Sequence, residues 1–133
     1  MNEWVLDTSA IVAGLLSRRG AAARLVDAIF AGALSPVYTS PIISEYAEVL
    51  ARPELAIAES ERWAILLKLR SSGVLVRGVA FDLHLPDEDD RPFIEAALAT
   101  SEKLVVTLNE RDFAPARALG VQVLSPREAA LRL

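Results

Sequence analysis

The chain predicts an α/β domain of three layers, with helices on both faces of a central parallel sheet of four to five strands, formed by residues 1–133 as one unit. Three observations carry this. Short apolar runs alternate with segments of helical spacing along the whole length. Those runs are apolar throughout instead of alternating with polar residues, as strands covered on both faces are. The 133 residues, 53% of them hydrophobic, are enough for one core that buries roughly two thirds of the unfolded surface.

Trp4-Val5-Leu6 reads as a buried strand running directly into a helix over Thr8–Leu16. Ala21–Ala31 makes a second helix closed by Gly32. Leu34–Thr39 makes a second strand, in which Pro36 marks either the strand's start or an exposed backbone edge. Ser40-Pro41 opens a helix with a hydroxyl cap and proline at the first helical position. Ile42, Ile43, Tyr46, Val49 and Leu50 continue that helix, and Pro53 ends it. Ser60–Arg70 is amphipathic and stops at Gly73, before a short third strand at Val74–Val76. Phe93–Ala99 is helical, and Lys103–Thr107 is the clearest buried strand. Phe113–Leu119 is a short helix or turn, and Val121–Leu124 a strand. Ser125-Pro126-Arg127-Glu128 is a capping box that opens a closing helix.

Composition removes several chemistries. With no cysteine there is no disulfide, thiolate metal site or cysteine nucleophile, and one histidine, His84, excludes a two-histidine acid/base pair. No apolar run reaches the roughly 20 residues that span a bilayer. No basic leader or apolar signal segment precedes the first strand, so a cytoplasmic location is expected. The net charge of −4 gives no overall basic footprint, although twelve of the fourteen cations are arginines, which suit phosphate.

In open parallel sheets, ligands bind beyond the carboxyl ends of the strands. Acids recur there. Asp7 follows the first strand directly, where it can cap the next helix or hold a cation. Glu45, with Glu48 one turn later, lies near the apolar stripe of its helix, a poor place for an idle charge. Asp87-Glu88-Asp89-Asp90 precede the helix through Phe93. Capping and the helix dipole account for one or two of these acids, and a divalent cation would relieve the repulsion among four. Asp90 is the first candidate in that run and Asp87 the second. Thr107, Asn109 and Asp112 follow the strongest strand, where a simple turn is the alternative. Oxygen-only donors select hard cations, so Mg²⁺ or Mn²⁺ is expected.

In VLDTSAIVAGLL from Val5, SPIISEYAEVLARPEL from Ser40, PDEDDRPFIEAALA from Pro86 and LVVTLNERDF from Leu104, in that order, the chain resembles the PIN-domain nucleases. Within them it is similar to the toxin components of bacterial toxin-antitoxin pairs, the VapC-like group. The resemblance implies an acidic quartet of Asp7, Glu45, Asp90 and Asp112, with Thr107 and Asn109 as polar neighbours and Asp87 as an acid frequent in the subgroup. It implies metal-dependent hydrolysis of RNA phosphodiesters. Asp7 and Asp90 would hold the principal ion, Glu45 would bind through water or orient the nucleophile, and Asp112 would complete a second position. Many relatives carry an acid at the position of Asn109, so the fourth ligand is divided between Asn109 and Asp112. A homodimer and a cognate antitoxin protein are implied partners, with no membrane. Arg18, Arg19, Arg52 and Arg111 stand near motif ends, where each can meet an RNA phosphate or simply serve surface solubility.

Three other readings compete. A haloacid dehalogenase-like phosphatase needs a second Asp two residues after the first, where this chain has Ser9. A receiver-like signalling domain needs an acidic pair at the first strand and a phosphoacceptor Asp at the third, and has neither here. A degenerate PIN domain would bind RNA or protein without cutting, which retention of all four acids argues against.

Overall fold

The computed structural model describes residues 2–133. The strands are β1 (Asn2–Leu6), β2 (Leu34–Tyr38), β3 (Val74–Leu75), β4 (Leu104–Val106) and β5 (Gln122–Leu124). The helices are α1 (Thr8–Leu16), α2 (Ala21–Ala31), α3 (Ser40–Leu50), α4 (Glu59–Ser72), α5 (Arg91–Leu98), α6 (Glu110–Phe113) and α7 (Pro126–Ala130). Single 3₁₀ turns lie at Pro53–Leu55 and Glu88–Asp90, and a longer 3₁₀ segment at Ala114–Leu119. All five strands are parallel, in the order β3-β2-β1-β4-β5, and helices flank the sheet.

This order fixes where a site can form. The chain builds outward from β1 to β2 and β3, then crosses back to β4 and β5 on the other side. β1 and β4 therefore flank the point where strand order reverses, and their carboxyl ends open a crevice. Asp7 continues β1 into that crevice, with its N–H bonded to the Val106 carbonyl at 2.8 Å.

The core packs strand residues Trp4, Val5, Leu6, Leu34, Val37, Leu104, Val105 and Val106 against helix residues such as Ile11, Leu25, Ile42, Tyr46, Ile65, Phe93 and Phe113. Gly14 lets α1 and α2 approach closely. A Cβ at that position would lie 2.4 Å from Val26 Cγ2 and 2.7 Å from the Ala22 carbonyl oxygen.

Local structure departs from expectation in four places. Pro36 is neither at the start nor on an exposed edge; it is buried in the middle of β2. The ladder to β1 ends at Trp4↔Pro36 and the ladder to β3 begins at Val37↔Val74, so the missing N–H falls at the changeover. The cap of α3 is Thr39, not Ser40. The extended backbone of Thr39 aims its hydroxyl at the Ile42 N–H, while Ser40 and Pro41 are already helical. In α4 the buried residues are Ile65 and Leu69, and Trp63 and Leu67 are more than half exposed, so its apolar residues do not all face the core. The turn after β4 is helical from Glu110, ahead of Phe113. The capping box at Ser125 and Glu128 forms as expected.

Candidate active site at the carboxyl ends of β1 and β4

The site begins with a buried carboxylate. Asp7 is 4% exposed and stands at the cap position of α1, yet its side chain makes no capping bond. Helix capping therefore does not explain this carboxylate. Instead Oδ2 accepts two hydroxyl bonds, from Ser9 Oγ and Thr107 Oγ1, both at 2.8 Å. Each hydroxyl in turn accepts a backbone N–H from the segment after β4: Ser9 from Leu108 at 3.2 Å and Thr107 from Asn109 at 2.9 Å. The carboxylate is thus aimed by two short chains of hydrogen bonds converging on one oxygen. Burial raises the Asp7 pKa above the ordinary carboxylate range, the two hydroxyl bonds and a backbone bond from Thr8 oppose that rise, and the Asp87 charge adds to it.

Glu45, half-buried on α3, accepts a hydrogen bond from the Thr8 hydroxyl at the start of α1. Its pKa is also raised, first by burial and further by Asp7, Asp89 and Glu48. Helix α3 is fastened to β1 by the Tyr46 hydroxyl, which donates to the Leu6 carbonyl. Burial lifts the pKa of that hydroxyl well above its ordinary value.

The acidic run divides its labour. Asp87 caps the 3₁₀ turn by accepting the Asp89 N–H at 2.9 Å. Glu88 turns to Arg91, which holds its carboxyl below the usual range. Asp90 makes no capping bond at the head of α5 and is half-buried. Its pKa is pushed up to about 7 by burial, then by the charges of Asp7, Asp87, Asp112 and Glu45.

These groups share one open cleft of about 490 Å³, lined by Asp7, Glu45, Glu48, Asp87, Asp89 and Asp90 together with Thr8, Ser9, Asn109 and Arg52. The structure thus gathers Asp7, Glu45, Asp90, Asp87 and Asn109 of the expected residues. Thr107 lies fully buried behind Asp7. Asp112 does not line the cleft, although its charge acts on Asp90. Of the four arginines expected near RNA, only Arg52 reaches this cleft; Arg18 lines a separate groove beside Phe30. Thr8 and Ser9 were not singled out as site residues, and their position directly after Asp7 was the available signal.

Among the described residues, no three His, Cys, Asp or Glu side chains are already drawn around one point as a metal-binding group. The donor chemistry nevertheless fits a hard cation. The lining offers carboxylates, hydroxyls and one amide, with no nitrogen or sulfur ligand. A cleft of this volume suits an ion that keeps several waters, as Mg²⁺ does.

In comparison with known proteins, a family profile described as PIN domain matches residues 3–111. No curated protein matches the chain significantly.

Proposed function

The chain belongs to the PIN-domain family, whose fold is generally that of a nuclease, and from that premise we propose that it is a metal-dependent endoribonuclease, the toxin of a toxin-antitoxin pair. The observation that supports this best is the convergence of acids from separate chain segments on the crevice between β1 and β4, with Asp90 pushed up to about 7 by its neighbours. Carboxylates that raise one another's pKa in a cleft mark a place where positive charge is wanted.

In this reading Asp7 and Asp90 would hold Mg²⁺ or Mn²⁺, Glu45 would bind through water or orient the nucleophile, and a second position would fall to Asn109, which lines the cleft, or to Asp112, whose charge reaches Asp90. The ion supplies neutralisation of phosphate charge and activation of water. The protein's own part is orientation. Ser9 and Thr107 fix one oxygen of Asp7, so that Oδ1 is free of side-chain donors, and Thr8 fixes Glu45. Arg52, the one cation of the cleft lining, meets an RNA phosphate. Ser9 occupies the place where a dehalogenase-type phosphatase needs its second Asp, and it donates to Asp7 instead. A homodimer, a cognate antitoxin and a cytoplasmic setting complete the proposal. The half-exposed Trp63 and Leu67 on α4 are apolar surface compatible with a protein partner.

The test is cleavage of mixed-sequence RNAs by the purified protein in Mg²⁺, Mn²⁺ or EDTA, beside an Asp7→Asn variant. Cleavage in either metal that is lost in EDTA and in the variant is the expected result. Cleavage that survives both overturns the metal-nuclease reading, and RNA binding without cleavage in either metal favours a non-cutting PIN domain. Growth arrest on induction, relieved by Asp7→Asn, checks the toxin role separately.

A further inference from the structure

Between β3 and the 3₁₀ turn at Glu88–Asp90 the chain has no regular secondary structure, yet it carries Asp87 and leads into Asp89 and Asp90. One side chain bonds it at two carbonyls. Arg91, the first residue of α5, folds back over this segment. Its Nη1 donates to the Phe81 carbonyl at 3.1 Å, its Nη2 to the Leu83 carbonyl at 2.8 Å, and its Nε to Glu88 Oε2 at 2.7 Å. Nη2 also reaches Glu88 Oε1 at 3.2 Å, and the guanidinium carbon lies 4.4 Å from the centre of the Phe81 ring. Glu88 Oε1 accepts the Leu85 N–H at 3.4 Å, which ties a further point of the same segment to this cluster. Apart from Arg91, the segment is held by the Val76 N–H bond to the Tyr38 carbonyl, the Val79 N–H bond to the Glu95 carbonyl, the buried Leu85 and the partly buried Val76, Phe81 and Leu83.

We propose that Arg91 is a positioning residue for the acidic cleft: its planar fork fixes residues 81–88 and so sets where Asp87, Asp89 and Asp90 stand relative to Asp7 and Glu45. Arginine is suited to this because a guanidinium can bond two carbonyls and a carboxylate in one plane while stacking on a ring. The same contact takes the charge of Glu88 out of play, so that the run presents its remaining acids to the cleft. Arg91 does not line the cleft and meets no substrate. This inference rests on the metal-nuclease reading for its effect on activity, but not for its effect on the segment.

The experiment compares the intact protein with Arg91→Met and Arg91→Lys. Hydrogen exchange over residues 79–90, Mn²⁺ titration and steady-state cleavage of an oligoribonucleotide are measured on each. In Arg91→Met, exchange of the segment is expected to rise while the sheet remains protected. The Mn²⁺ dissociation constant is expected to weaken roughly 10–100-fold, the range for loss of a group that orients ligands. The fall in kcat is partly recovered by excess Mn²⁺, and KM for RNA stays within about twofold. Arg91→Lys, which keeps the charge but loses the fork, falls between the two. Unchanged exchange in Arg91→Met overturns the proposal, as does raised exchange with wild-type Mn²⁺ affinity and kcat. If the wild-type protein neither binds Mn²⁺ nor cleaves RNA, the nuclease reading fails, and the exchange data alone then decide whether Arg91 holds the segment.

Discussion

The two ends of β1 use carboxylates in opposite ways. At the amino end, Glu102 accepts the Glu3 N–H on one oxygen at 3.0 Å and the buried Trp4 indole N–H on the other at 2.8 Å. Each oxygen has a donor, and one of the donors belongs to a buried side chain. At the carboxyl end, Asp7 takes both hydroxyl bonds on a single oxygen and faces other acids. Burial raises its pKa, and Glu45 and Asp90 are raised with it. A carboxylate matched to its donors is part of the scaffold. One that is oriented and crowded by like charge is poised for something the protein itself does not contain.

That contrast can be broken most directly by exchanging the consequences. Asp7→Asn is expected to lower RNA cleavage by more than about a hundredfold, beyond the usual loss of a ligand-orienting group. It should leave thermal stability unchanged or raised, because it removes a charge that burial disfavours. Glu102→Ala is expected to do the reverse, costing about 1–3 kcal/mol of stability as the buried Trp4 indole N–H loses its acceptor, with kcat per folded molecule preserved. Denaturant unfolding and cleavage assays on both variants would show the same pattern at both ends if the distinction is wrong.

A second, smaller effect appears with pH. Asp90 titrates near 7 in the folded chain and near 4 when unfolded, so between those values the folded state holds a proton that the unfolded state has released. Stability of the metal-free protein from this group is greatest at the acid end and is lost as pH rises through about 7; Asp7 and Glu45, also raised, act in the same direction. The melting temperature in EDTA should fall from about pH 5 to about pH 8, less so in Asp90→Asn, and Mn²⁺ should restore it at the upper end. A melting temperature that climbs over that range contradicts the assignment. The smallest effect is on Arg52: Arg52→Gln should raise KM for RNA several-fold, with kcat little changed, and lessen the salt dependence of kcat/KM by about 0.7, the share of one single-strand phosphate contact.

Much of this was legible in the sequence, for physical reasons. Continuous apolar runs such as Leu104–Val106 identify buried parallel strands, and the capping box at Ser125 is a local pattern that local geometry satisfies. Asp7 could be placed at the carboxyl edge because it directly follows an apolar strand, and in a parallel sheet the strand ends share that edge. The pairings that orient the site could not be read. Ser9 with Leu108, Thr107 with Asp7 and Thr8 with Glu45 join residues distant along the chain, and only the folded sheet brings them together. The choice of Thr39 over Ser40 as cap depended on which hydroxyl residue takes the extended backbone, a choice composition leaves open. Asp112, implied by the family resemblance as the fourth acid, stands on the short helix that begins at Glu110, and its charge acts on Asp90.

Tyr46 gives the interior a say in the shape of the surface. β1 pairs with β2 only as far as Trp4↔Pro36, after which Val5 and Leu6 pair with β4. The two strands part company toward their carboxyl ends, and the Tyr46 hydroxyl takes the Leu6 carbonyl there while its ring leans on Phe93, with centroids 6.3 Å apart. An aromatic wedge that is almost wholly hidden from solvent thus sits between α3, which bears Glu45, and α5, which Asp90 precedes. The gape of the mouth is a property of the core, and a repacking beneath it would retune the site without touching any residue a substrate could meet.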